Sequence, residues 1–344
     1  MKRIFAICSV FAAGWLYAFA PPAQIRVRLF STEQPSAVRI TTADGQVIAL
    51  DARKLSAPFR SRGPVKIQNG SGDAVALEYP VEVSARNGTL LIITELPLDD
   101  YVAAVLAGEA SGFRSEESLK AMAVAARTYA VHFLDRHKAE GFHFCDTTHC
   151  QDFRITAVTG RLRKAAAATS NEVVQYGAQP IAAYYHQNCG GTTEARAPYL
   201  TEIHDTFCTA RGRAQWSAEL TMADLQLALG VRDVKRIDIV QRTSAGRAEK
   251  LQIGGLESRL VDAETFRLAI GRSLGWNKIR SDMYDVRRSA EGFMFEGYGA
   301  GHGIGLCQEG AAVMGEQGRT YRDILNYYYP HTTIAPLSRF FPGI

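Results

Sequence analysis

The chain of 344 residues is 47% hydrophobic and 22% charged, which is typical of a folded protein with one large or two to three small domains. Its formal net charge at neutral pH is only +4. That surplus suits adhesion to an anionic polymer or surface, but it excludes the strongly basic character of a protein that binds nucleic acid.

The N-terminus carries an export signal. Residues 1–20 begin with two basic residues, continue as an apolar run and end in a small-x-small triplet, Ala18 to Ala20. This order predicts a signal peptide, and a signal anchor is the alternative because two prolines follow the triplet. Either one predicts an exported protein of the periplasm, the cell wall or the extracellular space. Nothing after residue 25 is long and apolar enough to span a bilayer, so only a retained anchor would hold the protein at a membrane.

The segments that follow predict an α+β fold. Residues 24–94 predict a small β-rich domain, since their apolar or alternating segments have strand length and are separated by glycines, prolines and an Asn-Gly pair typical of hairpins. Residues 213–290 predict an inserted α+β lobe that carries no assigned chemistry. The segments 95–212 and 291–335 predict a helical catalytic core with β-hairpins.

Two consecutive helices are predicted at the start of this core. An acidic pair suits the positive end of the first helix, and Gly108 ends it, which places Glu109 at the turn. Ser115 suits the N-cap of the second helix, which is predicted to run to about His137. Two cations of the second helix lie seven residues apart and so share nearly the same stripe of its surface.

Four motifs occur in order along this core: LPLDDYVAAVLAGE, SLKAMAVAARTYA, CDTTHCQDF and GHGIGLCQEGA, joined by the looser HQNCGGTTE. Spanning about Leu96 to Gly310, they make the sequence resemble the SpoIID/LytB family of bacterial cell-wall proteins, known from sporulation and septation. The resemblance implies a lytic transglycosylase, which cleaves the link between N-acetylmuramic acid and N-acetylglucosamine in peptidoglycan glycan strands and leaves a 1,6-anhydro sugar. LytB-type members imply the alternative, a non-catalytic wall-binding protein that stimulates a partner N-acetylmuramoyl-L-alanine amidase.

The resemblance also implies site residues. The catalytic acid of the family falls on Glu109, and functionally sensitive positions fall on Lys120 and Arg127. These two cations are predicted to hold substrate oxygens or carboxylates and not to pair tightly with Glu109, because a nearby cation would favour its ionised form. The motif GHGIGLCQEGA lines the substrate cleft in the family, so His302 and Gln308 are predicted binding residues.

One acid is sufficient for the implied reaction. Ordinary glycosidases add a second carboxylate on the other face of the sugar, and none is obvious beside Glu109. In a transglycosylase the 6-hydroxyl of the substrate attacks the anomeric carbon, so one carboxyl can donate its proton and then act as the base. This requires apolar neighbours that raise the pKa of Glu109 enough to keep it protonated.

The cysteines allow two interpretations. In some members of the family the corresponding cluster binds zinc, and two thiolates with two imidazoles would complete a closed structural site. The predicted ligands are His143, Cys145, His149 and Cys150, with His137 as the alternative to His143. In an oxidising exported setting the alternative is two disulfides, which would leave unpaired one of the five cysteines that follow the predicted signal peptide. The pairs would be Cys145 with Cys150 and Cys189 with Cys208, leaving Cys307.

Overall fold

The structure is a computed structural model that describes residues 24–255 and 258–340. The export signal predicted at 1–20 lies outside the described residues. Among the helices of the described ranges, none combines the length and the hydropathy that crossing a bilayer requires.

Eight strands form the N-terminal part of the chain as two antiparallel sheets, ordered β4-β7-β8-β1 and β3-β2-β5-β6. They are β1 (Ile25–Leu29), β2 (Ala37–Thr42), β3 (Val47–Asp51), β4 (Phe59–Ser61), β5 (Val65–Gln68), β6 (Val75–Leu77), β7 (Val81–Arg86) and β8 (Thr89–Leu96). The β7–β8 hairpin turns at Asn87 and Gly88, whose φ angles are 51° and 78°. Positive φ at both positions is what an Asn-Gly turn requires, so the predicted hairpin is confirmed.

The helical core follows with α1 (Leu98–Glu109), α2 (Glu116–His132), β9 (Phe144–Cys145) and α3 (Gly160–Ala168). The Ser115 hydroxyl accepts a hydrogen bond from the Glu117 amide at 3.2 Å, which confirms the predicted N-cap of α2. This helix ends at His132, five residues before the predicted limit. Strand β9 pairs in parallel with β1, so the N-terminal sheet extends to Cys145.

The chain then runs from the core into a separate lobe and back. The core continues with β10 (Glu172–Tyr176), β11 (Gln179–Pro180), β12 (Tyr185–His186) and α4 (Thr206–Thr209). The lobe contains β13 (Gln215–Thr221), α5 (Met222–Leu229), β14 (Arg236–Arg242), β15 (Ala248–Gly254), β16 (Ser258–Asp262), α6 (Ala263–Leu274), β17 (Tyr284–Arg288) and β18 (Gly292–Tyr298). The chain returns through β19 (Leu306–Cys307), α7 (Gln308–Glu316), α8 (Tyr321–Tyr328) and β20 (Thr333–Pro336).

Two hydrophobic cores correspond to these parts. One unites the N-terminal sheets with α1, α2 and the returning helices, and the other lies within the lobe between Trp216 and Phe295. Strand β18, which the sequence places in the core, pairs with β13 and β17 and packs in the lobe instead. Helices and several small sheets together confirm the predicted α+β class.

Candidate active site around Glu109

Glu109 is the last residue of α1, and its half-buried carboxyl receives hydrogen bonds from distant parts of the chain. The Asp152 amide donates to its Oε1 at 2.9 Å, and the Gln308 side-chain amide donates to its Oε2 at 3.1 Å. The Tyr185 hydroxyl also hydrogen-bonds to this carboxyl. Three elements, the loop after β9, strand β12 and the first turn of α7, therefore meet at Glu109.

A chain of buried polar side chains supports the Tyr185 hydroxyl. Tyr101 donates its hydroxyl to Gln151 Oε1 at 2.9 Å, and Gln151 Nε2 donates to the Tyr185 hydroxyl oxygen at 2.8 Å. Because Gln151 occupies the acceptor side of Tyr185, the hydroxyl proton is left for Glu109. Burial and the Glu109 charge both raise the pKa of Tyr185, so it stays a donor.

The pKa of Glu109 is raised above its ordinary value, chiefly because burial penalises the charged form. The negative charge of Asp152 acts in the same direction, whereas the three hydrogen-bond donors lower the pKa by stabilising the carboxylate. The partial negative charge at the C-terminal end of a helix also disfavours an ionised acid at this position. The carboxyl therefore holds a proton to higher pH than an exposed glutamate does. Once the proton leaves, the three donors stabilise the carboxylate.

The contact between α1 and the Asp152 loop depends on Gly108. A Cβ at this position would lie 2.1 Å from the Asp152 carbonyl oxygen. This closeness brings the Asp152 amide to Glu109, while the Asp152 carboxylate pairs with Arg154 at 2.7 Å. The second acid near Glu109 is thus engaged with its own cation.

Four metal-ligating side chains gather at the start of the same loop: His137, Cys145, His149 and Cys150. Their ligand atoms all lie within 4.8 Å of one another. His143, which the sequence predicts as a ligand, lies outside this group because its Nδ1 accepts a hydrogen bond from the Arg26 amide at 2.9 Å. His137 takes its place, since α2 ends early enough for the chain to turn this ring towards the cysteines.

The five described cysteines are free thiols, and Cys145 Sγ lies 3.4 Å from Cys150 Sγ. Neither pair of the disulfide alternative, Cys145 with Cys150 or Cys189 with Cys208, is bonded in the structure. The cluster instead has the composition of a closed four-ligand site of two thiolates and two imidazoles. Cys150 directly precedes Gln151 and Asp152, so the cluster holds the loop that contacts the Glu109 site.

The SpoIID family model, described as stage II sporulation protein, matches residues 86–176, which contain α1, α2 and the Cys/His cluster. Stage II sporulation protein D of Bacillus subtilis is 25% identical over 284 residues, which cover 76% of this chain and 81% of that protein. The chain thus contains a region, residues 86–176, that matches the SpoIID family. The family resemblance carried by the four motifs is thereby confirmed.

Two further relatives widen the comparison. An uncharacterised protein of Brachyspira hyodysenteriae is 29% identical over 267 residues, covering 74% of this chain and 70% of that protein. The amidase enhancer of Bacillus subtilis is 25% identical over 295 residues, covering 67% of this chain but only 40% of that protein. The chain therefore spans two fifths of the amidase enhancer and most of the sporulation protein.

Arg127 of the SpoIID domain is placed differently from its predicted substrate-binding role. Its guanidinium is fully buried and pairs with Asp99 at 2.8 Å. Its remaining hydrogen bonds go to the Ala166 and Glu172 carbonyl oxygens and to the Thr169 hydroxyl. A side chain with these contacts joins α1, α2 and α3, so the structure gives Arg127 a packing role, and its contact with substrate stays an untested prediction.

Lys120 lies two turns earlier and is partly exposed. Its ammonium pairs with Glu117 at 2.7 Å on the same helix and lies over the ring of Tyr321 from α8. Lys120 and Arg127 are thus both paired with acids other than Glu109. The substrate-binding role of Lys120 stays a prediction.

His302 of the glycine-rich loop acts on the backbone. Its Nδ1 accepts from the Ile304 amide at 3.0 Å, and its ring donates to the Tyr185 carbonyl oxygen. Burial lowers the pKa of His302 to about 3, so the ring is neutral. These contacts fix the loop against β12, and the substrate-binding role of His302 stays a prediction. Gln308 does lie at the site, but its partner in the structure is Glu109.

Proposed function

We propose that this protein is an exported lytic transglycosylase that cleaves the N-acetylmuramic acid to N-acetylglucosamine linkage of peptidoglycan glycan strands. The observation that carries the proposal is the Glu109 carboxyl, whose pKa is raised by burial while three donors are aimed at its oxygens. A carboxyl in this setting is suited both to give a proton and to take one back.

In the proposed reaction Glu109 donates its proton to the glycosidic oxygen as the bond to the anomeric carbon breaks. The resulting carboxylate is stabilised by the Asp152 amide, Gln308 and Tyr185. It then accepts the proton of the 6-hydroxyl as that oxygen attacks the anomeric carbon and closes the anhydro ring. No water is consumed, so a second carboxylate is not required, in keeping with the pairing of Asp152 to Arg154.

The second candidate function is stimulation of a cell-wall amidase, and the similarity to the amidase enhancer over 67% of this chain favours it. Mass spectrometry of products from denuded and peptide-bearing glycan, with and without an added amidase, separates the two functions. A transglycosylase alone releases anhydro-muramyl products that are one water lighter than hydrolysis products. If the protein alone releases none but raises amidase turnover, the amidase function replaces the enzymatic one.

We further propose that His137, Cys145, His149 and Cys150 hold a structural zinc ion. Four protein ligands leave no open position for water, so the metal would tie the loop together and would not act on the substrate. Gln151 and Asp152 directly follow Cys150. The zinc ion would therefore hold in place the Asp152 amide, which bonds to Glu109, and the Gln151 side chain, which bonds to Tyr185.

His137→Ala is expected to lose one equivalent of zinc per chain, because the imidazole that completes the four-ligand set is removed. Elemental analysis of protein purified without chelators measures this. His143→Ala is the matched control and should keep its zinc, since that ring bonds to the Arg26 amide. Zinc loss from His143→Ala with retention by His137→Ala would reverse the ligand assignment.

Gln308→Leu is expected to move the alkaline limb of the pH–rate profile to higher pH. The Gln308 donor lowers the pKa of Glu109, so its removal raises that pKa further and keeps the acid protonated longer. Asp152 and Tyr185, which also face Glu109, are unchanged. Initial rates across the pH range provide the measurement, with Gln317→Leu at the exposed end of the same helix as the control. An unmoved limb, or one moved to lower pH, would contradict the role given to Gln308.

A further inference from the structure

A second group of metal-ligating side chains lies apart from the first, in the part of the core formed by β12, α4 and β19. It consists of Cys189, Asp205, Cys208 and Cys307, all fully or almost fully buried, with their ligand atoms within 4.8 Å of one another. We propose that these four residues bind a second structural zinc ion. The proposal concerns a site outside the Glu109 reaction and does not depend on it.

Three separate segments bring the ligands together. Cys189 lies shortly after β12, and Cys307 ends β19. Asp205 is the N-cap of α4, and Cys208 lies within that helix. Asp205 Oδ2 lies 3.5 Å from Cys189 Sγ, and its Oδ1 accepts from the Cys208 amide at 2.9 Å. Three sulfurs and one carboxylate oxygen form a donor set that suits tetrahedral zinc.

Backbone amides point at the sulfurs. The Cys189 amide donates to Cys307 Sγ at 3.3 Å, and the Gly191 amide donates to Cys189 Sγ at 3.4 Å. Gly191 has a φ of 108°, a conformation open to glycine, and this lets the chain turn back onto the sulfur. Hydrogen bonds to ligating sulfurs are typical of the outer shell of thiolate metal sites.

A buried cation offsets part of the charge of the proposed site. Three thiolates and a carboxylate exceed the charge of one zinc ion, so the group would stay negative. Arg247 is 2% exposed and donates to the Cys189 carbonyl oxygen at 2.6 Å. Its Nε and Nη1 are buried without a hydrogen-bond partner, and Nε lies 4.0 Å from Glu194 Oε2. The charges of Asp282 and Glu194 offset part of the cost of burying this guanidinium beside the cluster.

A disulfide explains the same residues less well. Joining two of the three cysteines would leave the third thiol buried and odd, and it would give Asp205 no part in the bond. Asp205 is fully buried, with only the Tyr328 hydroxyl and the cluster itself as side-chain partners among the described hydrogen bonds. In a metal site the Asp205 carboxylate and all three sulfurs would be ligands of the same ion.

The experiment is zinc stoichiometry of the full chain, purified without chelators and measured by elemental analysis and native mass spectrometry. Wild-type protein is expected to carry two zinc ions, and both Cys208→Ser and the control Cys150→Ser are expected to carry one. The double variant should carry none. A wild type with one zinc that only Cys150→Ser removes would overturn the proposal, as would a peptide map that links two of Cys189, Cys208 and Cys307.

Cobalt substitution keeps the proposal testable if Cys208→Ser fails to fold. In the Cys150→Ser background, added Co²⁺ should give the visible bands of a tetrahedral site and the near-ultraviolet charge-transfer bands of several thiolates. Absence of these bands in that folded variant would overturn the second site. Neither outcome bears on glycan cleavage by Glu109, because both readouts are of metal alone.

Discussion

Glu109→Gln is expected to lower the rate of glycan cleavage by about 10²- to 10⁴-fold, the range that a positioned general acid contributes. The amide has nearly the shape of the acid but cannot give up a proton to the glycosidic oxygen. Release of anhydro-muramyl products from denuded glycan is the measurement. Glu116→Gln is the matched control, since that acid is exposed and pairs with Arg161. Wild-type release by Glu109→Gln would refute single-acid catalysis.

The same substitution is expected to leave the fold intact. The folded chain holds the Glu109 proton to a higher pH than the unfolded chain does, so this group makes the protein less stable as pH rises past the unfolded pKa. A neutral amide removes that penalty at neutral pH. Thermal unfolding of Glu109→Gln at no lower temperature than wild type would show that lost activity is not lost structure.

Arg127→Met is expected to lower the free energy of unfolding by about 3 kcal/mol, the lower end of the range for breaking a buried ion pair. The substitution removes the partner of Asp99 and leaves the Ala166 and Glu172 carbonyl oxygens with fewer donors. The lower end applies because the Asp99 side chain is 37% exposed and can recover some hydration. Equilibrium unfolding in urea is the measurement.

Lys120→Met is the control on the same helix. Its pair with Glu117 is partly exposed, so the expected loss is below about 1 kcal/mol. If Arg127→Met unfolds like wild type but no longer binds glycan, the structural role of Arg127 would be wrong and the substrate role supported.

Local patterns in the sequence were sufficient for some of the site. The Ser115 cap and the Asn-Gly hairpin depend on neighbouring residues, and both occur where the sequence predicts them. Helix α1 runs through Gly108 and ends at Glu109, one residue later than predicted. Glu109 was found because a helix end and a family motif coincide there. A sequence pattern also places Lys120 and Arg127 on one stripe, but it does not show that only Arg127 forms an ion pair with Asp99.

The residues that sequence reasoning missed are those defined by long-range contacts. His143 is drawn away from the cysteines by the backbone of β1, far earlier in the chain. Asp152 donates to Glu109 through its backbone amide, which any residue except proline would supply. Its side chain therefore does not mark it as a site residue in the sequence. Tyr185 lies in a short apolar segment of the sequence, and only its contacts with Gln151 and Glu109 in the fold reveal its hydroxyl as part of the site. For Gln151 the sequence offered one indication: in the motif CDTTHCQDF it directly follows Cys150, a predicted metal ligand.

The hydrogen bonds to Glu109 also bear on when the acid becomes competent. Its Asp152 and Gln308 partners lie 43 and 199 residues away in sequence, so both bonds require large loops to close first. An unfolded or partly folded chain has an ordinary, exposed glutamate at this position. The tuned acid exists only after the returning helix α7 has docked, so the proposed cleavage activity would be withheld until the whole core has assembled.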